Sequence, residues 1–468
     1  MIHKYQMNGL YIVLDVHSGG VHLVDELTYR MLDYVAPPFA NTCPQEITDA
    51  LKAEFPEQDI TECYDELKSL YEQKILFADD EYEKYARFAV PAPIKAMCLH
   101  ISHDCNMRCQ YCFASTGDFG TGRKLMPVET GKLAIDFLIK HSKDRKFLEL
   151  DFFGGEPLMN FDAVKEVVRY AREQEKKFDK KFRFTITTNG ILLNDEAIEF
   201  INNEMSNVVL SIDGRKETND RMRPVVNQKG SYDVILPKFK KLVELRDKNL
   251  DYYVRGTFTK YNLDFSEDVF SLYEAGFDQI SVEPVVSDPK YPYALTEEDI
   301  PVISAEYERL ANRILDNDRA GKHFNFFHFM IDLNAGPCAI KRLKGCGCGN
   351  EYVAITPDGD IYPCHQFVGI EKFKMGNLED GTFNEDLKHE FSQSHIYNKP
   401  QCRDCWAKFY CSGGCNANNY QYQGDILQSH ALSCELQKKR LECAIMIQAV
   451  KQMENLAPDE VNTAFRNC

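Results

Sequence analysis

Residues 94–113 read IKAMCLHISHDCNMRCQYCF, an apolar run followed by three cysteines spaced C-x3-C-x2-C at Cys105, Cys109 and Cys112. The run has the character of a strand, and the cysteines form a loop at its carboxyl end. Three thiolates from one short loop can hold three irons of a [4Fe–4S] cluster and leave the fourth iron open to a ligand. A four-cysteine set would close the cluster and suggest electron transfer, whereas a lone C-x2-C would suit zinc equally well.

Working outward from this loop, strand-like segments recur at Phe147–Phe153, Phe182–Thr187, Asn207–Ile212, Tyr252–Thr257 and Gln279–Pro284, separated by amphipathic stretches such as Asp162–Lys177 and Tyr232–Lys248. With Ile94–Ser102 these make six βα units, which predict an α/β fold built on a partial (β/α)6 TIM-like barrel over residues 94–320. Ligands in such folds sit at the carboxyl ends of the strands, where the cysteine loop lies. Residues 1–88 read as a separate winged-helix-like domain. LYIVLDV and VHLVDEL flank a His17-Ser18-Gly19-Gly20 turn, helices are expected near 25–36, 45–55 and 60–73, and KILFADD is expected to close the sheet. From Gly336 the chain turns rich in Gly and Cys, with little apolar material for a large core, until a helical run at Cys434–Leu456. A segment of this kind, spanning 336–456, needs metal to hold it together.

The 468 residues exceed one ordinary core, so two or three domains are expected. Seventeen cysteines in a chain without a secretory signal read as metal ligands in a reducing, cytoplasmic compartment. Twelve of them cluster, at Cys105–Cys112, Cys338–Cys364 and Cys402–Cys434; Cys43, Cys63, Cys98, Cys443 and Cys468 read as small buried hydrophobes or idle thiols. The net charge of −17 disfavours nucleic acid as a partner, and no run is apolar enough to suggest a membrane span.

The loop Cys105, Cys109 and Cys112, with Tyr111 and Phe113 around its last cysteine, resembles that of the radical S-adenosylmethionine (SAM) enzymes. The resemblance implies that SAM binds the open iron and is cleaved to a 5′-deoxyadenosyl radical that abstracts hydrogen from an unactivated carbon. A purely structural cluster is the competing reading. Phe153-Gly154-Gly155-Glu156-Pro157 looks like the family's GGEP motif, with Gly154 and Gly155 permitting close approach of backbone to ligand and Glu156 offering a carboxylate to the SAM ammonium. Thr188-Asn189-Gly190 and Ser211-Ile212-Asp213-Gly214 end later strands; Ser211 and Asp213 are candidate SAM contacts, and Arg223 could pair with the SAM carboxylate. A loop Ser-x-Asp is equally compatible with turn chemistry.

Downstream, Cys348-x10-Gly359-x4-Cys364, then Cys402-x2-Cys405-x5-Cys411-x3-Cys415, then Cys434, resembles the SPASM extension of radical SAM peptide-modifying enzymes. The resemblance implies two auxiliary [4Fe–4S] clusters, three clusters in all. Cys402, Cys405, Cys411 and Cys434 would hold one; Cys364, Cys415 and Cys346 would hold the other, with Cys338, Cys348 or a substrate thiolate as fourth ligand. Zinc ribbons are the competing reading. Sulfatase-maturing relatives carry an Asp where this chain has His365, directly after Cys364, which weighs against sulfatase maturation. No catalytic side chain is assigned.

The N-terminal hairpin and helices resemble a PqqD-like element that binds leader peptides by strand addition. Taken together, and with CGCGNEYVAITPDGDIYPCHQFVG at Cys346–Gly369, the chain most resembles the thioether-forming maturases of six-cysteine (SCIFF) ribosomal peptides. That resemblance implies a Cys-rich precursor peptide with a leader as substrate and an external one-electron reductant of the flavodoxin or ferredoxin type. Peptide epimerisation, carbon–carbon crosslinking, sulfatase maturation and an iron–sulfur electron-transfer or peptide-carrier protein without SAM turnover are the alternatives.

Overall fold

The computed structural model describes residues 1–333 and 339–454. Cys338 and Cys468 lie outside the described residues. At the N-terminus, β1 (Ile2–Met7), β2 (Leu10–Asp15) and β3 (Val21–Val24) form an antiparallel sheet, followed by α1 (Glu26–Met31), α2 (Gln45–Leu51) and α3 (Glu57–Glu72). The expected hairpin around His17–Gly20 is present as β2–β3. β1 was not anticipated from the sequence, although Asn8-Gly9 supplies its turn: both residues have positive φ, 56° and 75°, as the tightest hairpin connections require. KILFADD, in contrast, forms no strand. Lys74 and Phe77 adopt positive φ, so this segment turns instead of extending, and the Ile75 carbonyl accepts a bond from His22 on β3. Val13, Met31, Leu51, Ile60 and Leu67 form this region's own core.

The central sheet is built from β4 (Ala96–Ser102), β5 (Phe147–Gly154), β6 (Lys181–Thr188), β7 (Met205–Ser211), β8 (Asp251–Phe258), β9 (Gln279–Pro284) and the short β10 (Asn325–Phe326), all parallel. Between them run α4 (Val128–His141), α5 (Phe161–Phe178), α6 (Asp195–Glu204), α7 (Lys216–Met222), α8 (Tyr232–Glu244), α9 (Phe265–Glu274) and α10 (Ile300–Arg319). Alternation along the strands sets the two faces of this sheet. On β5, Leu148, Leu150 and Phe152 are buried against the helices, while Glu149, Asp151 and Phe153 turn to the concave side. The sheet therefore curls around a cavity that charged and polar side chains enter, Glu149 and Asp151 among them.

The Cys-rich segment continues the same sheet. After α11 (Ala339–Lys344), β11 (Tyr352–Ile355) pairs parallel with β4, Tyr352 opposite Ala96 and Ile355 opposite Leu99. β12 (Asp360–Tyr362), β13 (Gly376–Asn377) and β14 (Thr382–Phe383) extend it antiparallel to an eleven-stranded sheet. α12 (Glu385–Ser392), α13 (Pro400–Arg403), α14 (Lys408–Cys411), α15 (Asn416–Gln423) and the long α16 (Ala431–Met453) complete the chain, α16 packing along α10. The N-terminal region docks on this extension. His3 stacks on Trp406 with centroids 3.7 Å apart, and Asp80 receives bonds from Tyr397 at 2.7 Å and Lys408 at 2.8 Å. Among the described residues no helix is long and apolar enough to cross a membrane.

Candidate functional site

The loop after β4 is gripped by the loop after β5. Gly155 N–H donates to Ser102 O at 2.7 Å and Glu156 N–H to Asp104 O at 2.9 Å. A Cβ on Gly154, whose φ is +121°, would collide with the Ser102 carbonyl, and one on Gly155 with the Asp104 carbonyl. These glycines thus meet the backbone of the cysteine loop, a closer constraint than the ligand approach expected from sequence. Glu156 is fully buried and accepts from Leu158 N at 3.0 Å, Thr188 Oγ1 at 2.8 Å and Asn189 N at 2.8 Å. Burial pushes its carboxyl up; these donors and the Arg223 charge pull it back. The carboxylate is consequently an organiser of the β6 loop with only part of its acceptor capacity left. From that loop, Asn189 Nδ2 donates to Asn106 Oδ1 at 2.8 Å and reaches Cys105 Sγ at 3.6 Å.

Asp213 and Arg223 enclose the loop from the β7 side. Tyr111, between the second and third cysteines, donates to both oxygens of buried Asp213 at 2.7 Å, while Thr257 N–H donates to Asp213 Oδ1 at 3.0 Å. Burial raises Asp213 to about 6 despite the opposing Arg223 charge. Arg223 Nη1 donates to Tyr111 Oη at 3.0 Å, leaving its Nε buried without a partner. Asn106 Nδ2 is likewise buried and unpartnered. Two unsatisfied donors beside three neighbouring thiols form a cradle for an anionic group, as a sulfide-bearing cluster or a carboxylate would be. Burial raises the Cys105 thiol to about 12 and the Cys109 thiol to about 11, so iron binding there must expel protons. Ser211, at the end of β7, is half-buried on the lumen face.

Two further cysteine sets sit apart. Besides burial, Cys411, Cys402 and Cys405 raise the Cys434 thiol, and Cys364, Cys346 and Cys415 raise that of Cys348, which marks two neighbouring sets. The structure therefore brings Cys348 to the group for which the sequence left the fourth member open. Cys348 and Cys364 are buried; Cys348 Sγ donates to Pro363 O at 3.5 Å and lies near enough to Cys364 to lower its thiol, while Cys346 and Cys415 face open space. Between the sets lies Lys399, 1 % exposed, donating to Gly413 O at 2.7 Å and Asn416 Oδ1 at 2.9 Å. Eight thiols in two groups around a buried cation suit anionic clusters; a lone zinc would leave that cation without a role.

A cavity of about 500 Å³ fills the lumen, lined by Asp151, Asn207, Arg255 and Glu283 from the strands and by Cys346 and Tyr352 from the extension. Arg255 donates to Glu283 at 2.8 Å, and together with His328 and Arg440 it holds that carboxyl down at about 2 against its burial. Arg440 donates to His328 Nδ1 at 3.0 Å, so the proton of neutral His328 lies on Nε2, facing Ser281 Oγ at 3.1 Å. His365 packs at a tilt between Phe153, at 5.1 Å, and Phe113 of the cysteine loop, at 5.3 Å, bringing the extension into contact with the first site. Sequence reading singled out none of these lumen polar groups except His365. The available signal was the polar residue at every second strand position, which a sheet with a solvated face would show equally.

Residues 99–257 match the Radical SAM superfamily, and residues 346–406 match SPASM, an iron–sulfur cluster-binding domain. The chain is 27 % identical to a cysteine-type anaerobic sulfatase-maturating enzyme of Clostridium novyi, covering 68 % of this chain and 86 % of that one. It is 24 % identical to the radical SAM cyclopropyl synthase TigE of Paramaledivibacter caminithermalis, covering 93 % and 92 %. Its fold is similar to that of native anSMEcpe with bound AdoMet and Cp18Cys peptide, with a TM-score of 0.61, 20 % identity, and coverage of 78 % and 100 %. The chain therefore carries a radical SAM domain followed by a SPASM domain, and this pair implies a SAM-binding [4Fe–4S] cluster together with auxiliary clusters.

Proposed function

We propose that this protein is a peptide maturase that joins a cysteine sulfur of a ribosomally made precursor to a carbon of an acceptor residue, forming an intramolecular thioether. Cys105, Cys109 and Cys112 would hold the SAM-binding cluster, and Gly154, Gly155, Glu156, Ser211, Asp213 and Arg223 would surround SAM. Cys402, Cys405, Cys411 and Cys434 would hold one auxiliary cluster, and Cys346, Cys364 and Cys415 the other, with Cys348 as an available fourth ligand. When bound, these groups supply hydrogen-atom abstraction at carbon and a sink for one electron. Residues 1–88 would hold the leader of the precursor, and a flavodoxin- or ferredoxin-type donor would supply the reducing electron.

The observation that carries this reading is the position of Cys346: it lines the barrel lumen, yet belongs to the thiol set of the extension. A peptide in the lumen would have the SAM site at one wall and an auxiliary site at another. A bound peptide is also named for a protein of similar fold, anSMEcpe with AdoMet and Cp18Cys peptide. His365, in place of the Asp of sulfatase maturases, is packed between two phenylalanines, an arrangement suited to aligning groups by shape.

The test is mass spectrometry of a cysteine-rich precursor after incubation with reduced, reconstituted protein and SAM. Loss of a pair of hydrogens, with one cysteine blocked from alkylation, is expected. An unchanged mass would replace the proposal with epimerisation, and hydrogen loss with every cysteine still alkylatable would replace it with carbon–carbon crosslinking.

A further inference from the structure

We propose that Asp151 is the base that takes the proton of a substrate thiol inside the barrel lumen. The inference rests on the thioether reading above and assigns that site a catalytic side chain. Alternation on β5 turns Asp151 into the cavity, whose wall also carries Cys346. Its Oδ1 is buried without a hydrogen-bond partner, as is Oδ1 of Asn207 across the same cavity. Unmade bonds at buried acceptors are costly, and two of them facing one cavity call for a ligand that donates.

The neighbours of Asp151 on each side narrow the role. Arg255, from β8, spends its guanidinium on Glu283, which that pairing holds ionised and unsuited to keep a proton. Cys98, from β4, is a buried thiol kept neutral by burial and by the Asp151 charge, and Tyr352, from β11, is engaged with Cys98. Glu149, two residues earlier on the same face of β5, also lines the cavity but is exposed. Burial raises Asp151 to about 7, with the Arg255 charge opposing, which matches it to a thiol far better than an ordinary carboxylate would be. The step is a proton transfer alone: the substrate S–H bond breaks, an O–H bond forms on Asp151, and the thiolate keeps the electron pair.

Infrared difference spectra of the holoenzyme with and without N-acetylcysteine amide test this, using N-acetylserine amide as control and the probe's amide bands to establish saturation. In the wild type the probe's isolated S–H band is expected to move to lower frequency, as a thiol donating to a carboxylate does, with only about a few per cent of it converted, because a carboxyl near 7 faces a thiol of about 8.5. In Asp151→Asn, with iron content verified, the S–H band should lose most of that displacement; Asp151→Glu should restore it. An undisplaced S–H band in wild type, or a fully displaced one in Asp151→Asn, would overturn the assignment. Product mass from a cysteine-rich peptide reports on the thioether reading separately: a crosslink without the S–H displacement would sink Asp151 alone, and the displacement without a crosslink would sink the thioether reading alone.

Discussion

Replacing Glu156 with Gln isolates the role of one buried carboxylate in holding the cysteine loop. Three donors converge on it, Leu158 N and Thr188 Oγ1 on Oε1 and Asn189 N on Oε2. If the amide oxygen keeps the first two, its NH2 must face the Asn189 N–H, so one charge-assisted bond of about 1.5–3 kcal/mol is lost and two donors are left opposed. The other two bonds weaken to neutral strength, about half their value. Against this, burial already raises the Glu156 carboxyl, so removing its charge returns part of the desolvation cost. The balance is a local destabilisation of about 3 kcal/mol, or roughly a hundredfold in the opening equilibrium of the β6 loop. Hydrogen exchange read by mass spectrometry on a peptide spanning 187–191 measures that opening directly, in reconstituted protein with iron content matched between wild type and variant. About a hundredfold faster exchange there, with exchange on β8 unchanged, is expected. Unaltered protection would refute the reasoning, because it would mean that Asn189 is held by something other than Glu156.

Further substitutions probe the remaining links. Gly155→Ala places a Cβ against the Asp104 carbonyl and should strip iron from the first site while leaving the iron of the extension, a difference read by metal analysis and Mössbauer spectra. Cys109→Ala should abolish 5′-deoxyadenosine formation, whereas Cys411→Ala should first destabilise residues 400–434, seen as faster proteolysis there. Lys399→Met removes a buried cation from between the two thiol sets and should shift auxiliary reduction potentials negative, by about 59 mV for each 1.4 kcal/mol of lost attraction. Two lumen groups give opposite pH signatures. Burial lowers His328 to about 3 from 6.5, so its contribution is lost as pH falls below 6.5, by about 2 kcal/mol at pH 5. Asp151, raised to about 7 from 3.8, contributes stability that grows by about 2 kcal/mol over the same fall. Between pH 7 and 5, His328→Gln should therefore gain about 2 kcal/mol relative to wild type, and Asp151→Asn should lose about as much, by thermal or denaturant unfolding. Parallel pH curves for all three proteins would contradict the burial of these groups.

The features legible in the sequence were those carried by local chemistry. C-x3-C-x2-C, Gly-Gly-Glu-Pro and the cysteine spacing of the extension require particular residue types at fixed offsets, and the apolar alternation of β5 to β9 is a period that survives without knowledge of the partners. Pairing across distance was not legible. Tyr111 was read as an aromatic beside a ligand, whereas its hydroxyl bridges Asp213 and Arg223, residues more than a hundred positions away. Cys348 stands in the sequence beside Cys338 and a substrate thiolate as a candidate fourth ligand, and spacing does not choose among them; the turn over Gly347–Tyr352 brings its sulfur among Cys364, Cys346 and Cys415. The KILFADD strand failed for a related reason: β propensity competed with a backbone that needed positive φ at Lys74 and Phe77, and tertiary contact to β3 decided the outcome.

The division between the radical SAM and SPASM parts is one of sequence more than of structure. β11 hydrogen-bonds to β4 over four registered pairs, so the strand that presents the cysteine loop at its end is also the strand on which the extension is built. Lys95 and Ala96 N–H both reach the Glu351 carbonyl, and Glu351 in turn pairs with Lys95 and lies by Arg145 and Lys344. Gly369 closes against the Phe119 carbonyl, and His365 lies between Phe113 and Phe153. Because these contacts enter the barrel beside the first thiol set and in its lumen, unfolding the extension would expose β4 as an unpaired edge and open the lumen wall at Tyr352. A protein cut before β11 should accordingly lose binding at the first site even with Cys105, Cys109 and Cys112 intact, so the auxiliary half supports the radical half structurally before any electron passes between them.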